Sequence, residues 1–96
     1  MKARKSTGNV FRDVGFDREE AENLHIRAML MTQAEKFIRR SEMSQAEAAI
    51  RMGVTQPRIS DLMRGKIDVF SVDTLIAMLS MVGLKVSVHV TRAKAA

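Results

Sequence analysis

Gly53 stands between two segments that each open with their own helix-start signal, and this leaves the chain few alternatives. Ser44 followed by Glu47 has the pattern of a capping box, which predicts a short helix starting there and running to about Met52. Thr55 is the next N-cap, with Pro57 in the first turn where a missing backbone donor costs little, so a further helix is expected from Thr55 to about Arg64. Between them lies only a turn built around Gly53, a residue that can adopt positive φ, with Val54 plugging the gap beside it. Ala48, Ala49 and Met52 give the first helix a small-residue face suited to a close crossing, and Ile59, Leu62 and Met63 form the buried side of the second. Two short helices joined by a corner of about three residues have helix-turn-helix spacing.

The flanks supply the rest of the core. Asp17 is a good N-cap, and Glu19, Glu20 and Glu22 complement the positive end of a long helix beginning near Arg18. Its apolar stripe is expected at Ile26, Leu30, Ala34, Phe37 and Ile38, widened in the N-terminal half by Leu24, Ala28 and Met31. Arg39 and Arg40 fall in its last turn, and Ser41-Glu42 marks the exit. Ser71 caps a fourth helix with a stripe of Val72, Leu75, Ile76, Leu79 and Val82, closed by Gly83. From Leu84 to Thr91 apolar and polar residues then alternate, the pattern of a half-buried strand. The expected partner is the same strand of a second copy, antiparallel across a two-fold axis; pairing with the Asn9 to Phe11 region is the competing arrangement. Residues 1–8 read as a basic, flexible arm, and Val10 to Phe16 as a short packed segment.

At 96 residues the chain organises one core, so residues 9–96 are expected to form a single domain. No apolar run approaches the roughly 18 residues of a membrane span, and no hydrophobic stretch follows the basic N-terminus as in an export signal. With no cysteine there is neither a disulfide framework nor a thiolate, which suits the cytoplasm. Eight Met against four Phe suit a helical core filled with flexible side chains and offer little for stacking single-stranded bases. His25 and His89 lack ligand spacing, and no nucleophile–base pattern or phosphate-cradling loop is present, so no metal, no cofactor and no catalysis are expected. The formal charge of +5 directs attention to an anionic partner. Most of the excess lies in the two tails, but Arg51, Arg58, Arg64 and Lys66 against Glu47 and Asp61 make a local surplus in the middle.

In helix-turn-helix geometry the second helix enters a major groove while the first crosses the backbone, which exposes Gln56, Arg58, Ser60 and Asp61 to base edges. Gln can pair along an adenine edge, Arg can fork onto guanine, and Asp can accept from cytosine. Asp61 has a competing role, holding Arg58 or Arg64 in place. The run from Gln45 to Ser60, with Gly65 beyond, resembles the phage-repressor/Cro (XRE) type of helix-turn-helix protein. Asn9 to Gly15, the Arg64-Gly65-Lys66 step, Phe70-Ser71 and the closing alternating run are similar to one subgroup, the HigA-like antitoxins and related stand-alone regulators.

The resemblance implies an all-α, lambda-repressor-like domain of about four to five helices, with one C-terminal β-strand (84–91) pairing across a dimer. It implies a repressor on a palindromic double-stranded operator, with half-sites roughly 34 Å apart. It also implies an antitoxin that autoregulates its operon and neutralises a RelE-like toxin. In such proteins the residue at Gln45 binds phosphate and braces the recognition helix, while Gln56 reads bases. Pro57 stands where relatives often carry a polar base reader, which moves the expected specificity contacts to Arg58 and Asp61, with Thr55 on sugar-phosphate or a thymine methyl. Arg64 and Lys66 are expected phosphate contacts. The expected interface is therefore Gln45, Thr55, Gln56, Pro57, Arg58, Ser60, Asp61, Arg64 and Lys66. The alternatives are a stand-alone regulator without a toxin and a protein-binding adaptor in which the helix pair is only a scaffold.

Overall fold

The computed structural model describes residues 18–93. Four α-helices and one 3₁₀ turn run through them: α1 Arg18–Ser41, α2 Gln45–Met52, α3 Gln56–Met63, the turn Ile67–Val69, and α4 Val72–Met81. The basic arm 1–8, the packed segment to Phe16 and the cap at Asp17 lie outside the described residues.

Local chemistry sets the helix limits. Ser44, Thr55 and Ser71 are the N-caps of α2, α3 and α4, and each side-chain oxygen accepts from the amide three residues on, at Glu47, Arg58 and Thr74. Such a cap contributes about 1 kcal/mol. At Ser44 only half of the expected capping box forms, because the Glu47 carboxylate turns forward to Arg51 Nε at 3.5 Å instead of back to the Ser44 amide. The helix exits are equally local. Gly53 at φ 74° ends α2, its own amide reaching Ile50 O and the next amide, Val54, reaching Ala49 O at 3.0 Å. That pair of bonds satisfies the last carbonyls of α2. Lys66 N donates to Asp61 O after α3, and Leu84 N to Leu79 O after α4, both at 3.0 Å. α1 ends differently, with Glu42 at φ 55°, a conformation that a non-glycine residue rarely takes.

Burial selects the faces. Met31, Ala34 and Ile38 of α1 pack with Ala48, Ala49 and Met52 of α2, Ile59 and Leu62 of α3, Phe70, and Leu75, Met78 and Leu79 of α4. The alanines of α2 are the reason it can lie close to its neighbours. On α1 most of the expected face is covered: Ala34 and Ile38 are buried with Met31, and Leu30 and Phe37 pack against them, whereas Ile26 is 45% exposed, Ala28 is exposed and Arg27 is half-buried beside the stripe. Arg27 on the covered side was not expected, since a charged residue reads as outward-facing. On α4 Leu75 and Leu79 are buried and Val72 and Val82 half-buried as expected, while Ile76 is exposed and Met78 is buried.

The expected strand over 84–91 is not formed. Among the described residues there is no strand, and Leu84 to Ala93 has no regular structure. Val86 packs on the core, but Val88 and Val90 are 79% and 86% exposed. A strand exists only through hydrogen bonds to another strand, and the described residues offer this segment none. Asn9 to Phe11, the competing partner, lies outside the described residues.

Candidate nucleic-acid interface

The corner at Gly53 decides what α3 presents. Ile59 and Leu62 are fully buried and fix the inner side of the helix against α1 and α2. Around the rest of the helix and at its exit, Gln56, Pro57, Arg58 and Arg64 are exposed and Ser60 and Asp61 half-buried. Gln45 is exposed at the first position of α2, Thr55 is exposed at the N-cap of α3, and Lys66 is exposed just beyond it. All nine expected residues thus fall in the two helices of the corner, its connecting turn and the exit from α3.

Their side chains are not equally available. The Arg58 guanidinium donates through Nη1 to Val69 O at 2.6 Å and lies 5.7 Å from the Phe70 ring centroid. The hydrogen bond and the cation–π contact hold it on the loop after α3. One of its five N–H groups serves Val69, which leaves the others for a ligand. Asp61 pairs with Lys66, Oδ1 to Nζ 3.8 Å, rather than with Arg58 or Arg64. An exposed pair of this kind contributes at most about 1 kcal/mol and yields readily to a stronger partner such as phosphate. With the other described residues, Gln45, Gln56 and Arg64 make no side-chain hydrogen bond or ion pair.

A cleft of about 540 Å³ opens beside this surface, lined by Thr55, Arg58, Asp68, Phe70, Ser71 and Thr74 among others. The N-termini of α3 and α4 both face it, so hydroxyls, a guanidinium and the positive ends of two helices converge there, with Asp68 as the one opposing charge. Ser71 and Thr74 were not among the expected site residues. Their signal was present as a helix cap, but only the fold brings the start of α4 beside the start of α3. His25 and His89 are both exposed, on α1 and in the C-terminal segment. Among the described residues no three potential metal ligands cluster, and no helix is long and apolar enough to cross a membrane.

A family model described as a helix-turn-helix domain matches residues 10–91. A solved structure whose name places it among the XRE-family transcriptional regulators superposes with a TM-score of 0.72 at 32% identity, covering 79% of this chain and 89% of the other. No curated protein matched.

Proposed function

This chain belongs to the helix-turn-helix domain family and is an XRE-family transcriptional regulator, and from that premise we propose that it is a sequence-specific repressor binding a palindromic operator as a homodimer. The observation that carries the reading is the anchoring of α3 by two fully buried residues while its polar edge stays in solvent. A helix held in this way can lie in a major groove without rearrangement of the core.

The residues divide by availability. Gln56 is the first base reader, exposed and unengaged at the N-terminal end of α3, where a recognition helix meets base edges. Arg58 contributes its remaining donors to a guanine, with Asp61 and Ser60 further along the helix and Pro57 in apolar contact. Thr55 faces sugar-phosphate while capping α3. Gln45, Arg64 and Lys66 hold phosphates, with Ser71 and Thr74 closing the backbone contact from the cleft.

The dimer forms through Leu84 to Thr91. Val88 and Val90 are far more exposed than an apolar pair should be in an isolated chain, and the alternating pattern suits an antiparallel ladder with a second copy. In the cell the protein is a cytoplasmic antitoxin that represses its own operon and neutralises a RelE-like toxin; this finer role is supported only by the resemblance of the segments flanking the corner. A toxin-like reading frame beside this one, and co-purification of the two products, would carry that role.

Gel-shift titration on the DNA upstream of its own reading frame tests the central proposal. Arg58→Ala should lose about 1–3 kcal/mol on that fragment and relax base preference locally, whereas Lys66→Ala should weaken all duplexes alike and reduce the salt slope by about 1. Equal loss on specific and random duplex for Arg58→Ala removes Arg58 from the base-reading set. Failure of the unaltered protein to bind any duplex removes the repressor.

A further inference from the structure

The loop that joins α3 to α4 has an unusual means of support. Its 3₁₀ turn Ile67–Val69 has no side-chain cap at its start, and its own backbone bonds are long, Val69 N to Lys66 O and Phe70 N to Ile67 O both 3.3 Å. Two arginines donate to the carbonyls of this loop. From α3, Arg58 holds Val69 O. From α1, forty residues earlier in the chain, Arg27 Nη1 donates to Ile67 O at 3.0 Å and also approaches Phe70 O at 3.4 Å.

Arg27 is built for this task. It lies half-buried along the face of α1 that carries Met31, Ala34 and Ile38, and its Nε donates to Asn23 Oδ1 at 2.7 Å, one turn earlier. The Asn23 bond fixes the rotation of the guanidinium plane, so that its outer nitrogen meets two carbonyls. An ammonium has no rigid fork, so a lysine could meet the loop without being oriented by Asn23. What the loop carries gives the contact its meaning. Lys66 leads into it, Val69 O is the rest for Arg58, and Phe70 supplies both a core anchor and the ring beneath Arg58.

We propose that Arg27, oriented by Asn23, is a positioning residue for the DNA-binding surface: it braces the 66–70 loop so that Lys66, and the Val69 carbonyl and Phe70 ring on which Arg58 rests, are held at a set distance from α3. The proposal rests on the repressor reading for its consequence, but the brace has a signature in the free protein. Because Arg27 donates to its own chain, its contribution to binding carries no counterion release, which separates it from a phosphate contact.

The experiment has one arm without DNA and one with it. In the free protein, Arg27→Ala should speed amide exchange at Val69 and Phe70 about tenfold or more while Met52 and Leu62 keep their rates, and should shrink the ring-current shift of the Arg58 δ-methylene above Phe70. On the DNA upstream of the protein's own reading frame, the same variant should bind about tenfold more weakly with an unchanged salt slope, where Lys66→Ala lowers the slope by about 1. Arg27→Lys should recover part of both losses. Asn23→Ala, which keeps the guanidinium but frees its rotation, should show the same pattern at a few-fold size, and it decides the matter if Arg27→Ala does not fold. A salt slope lowered by about 1 in Arg27→Ala would make Arg27 a phosphate contact and overturn the proposal, as would unchanged exchange at Val69 and Phe70. If the unaltered protein binds no duplex, the repressor reading fails, and the exchange arm alone decides whether the brace exists.

Discussion

The corner after α2 and the exit after α4 begin alike and end differently. Gly53 and Gly83 both take positive φ, at 74° and 82°, and in both places the following apolar residue sends its amide back to the helix it has just left. After Gly53 the chain meets Thr55, whose hydroxyl starts a new helix within two residues. After Gly83 it enters an alternating apolar stretch that finds no partner in its own described residues and stays without regular structure. A helix draws its hydrogen-bond partners from four residues away, whereas a strand needs a neighbour that the local sequence does not contain.

Substitutions can break this comparison at its strongest point first. Ile59→Ala, at a fully buried position, should cost about 2–5 kcal/mol in a denaturant titration and take DNA binding with it, because it removes the anchor that aims α3. Gly53→Ala and Gly83→Ala should each cost about 1–2 kcal/mol from backbone strain. A Cβ at Gly53 would meet Met81 Cε at an ordinary 3.5 Å, and one at Gly83 would meet nothing within 4 Å. The two losses should therefore agree closely in thermal melts, and a much larger loss at Gly53 would mean that the corner is tighter than its geometry indicates.

Ser44→Ala, which deletes the cap of α2, should cost about 1 kcal/mol, and Ser44→Thr should restore most of it in the same titration. The smallest effect on the fold belongs to the tail. Val88→Pro should change the stability of an isolated chain by less than about 0.5 kcal/mol, since the residue is exposed. If two copies pair through this segment, however, the same substitution halves the mass seen in sedimentation. An unchanged mass would leave the alternating stretch with no part in assembly.

Helix starts and stops were legible because they are written in neighbouring residues. Ser44, Thr55 and Ser71 are the helix caps that the sequence suggested, and the nine expected interface residues do fall around one corner. The engagements of those residues were not legible. Nothing in the spacing of Arg58 to Phe70 says that a guanidinium rests on that ring, and Asp61 had closer arginines in sequence than Lys66, its partner in space. The 3₁₀ turn was missed because one turn of helix has no periodicity to detect.

From residue order alone came the class of the domain: four capped or charge-biased helical segments and a corner too short to be anything but helix-turn-helix. Those features depend on backbone hydrogen bonds and side-chain caps a few residues apart, which any copy of the chain carries within itself. Tertiary packing decided the rest. It set Arg27 of α1 against the 66–70 loop, brought the start of α4 beside the start of α3, and tethered Arg58. The physical reason is distance along the chain: when donor and acceptor are forty residues apart, as Arg27 and Ile67 are, only the assembled core determines that they meet.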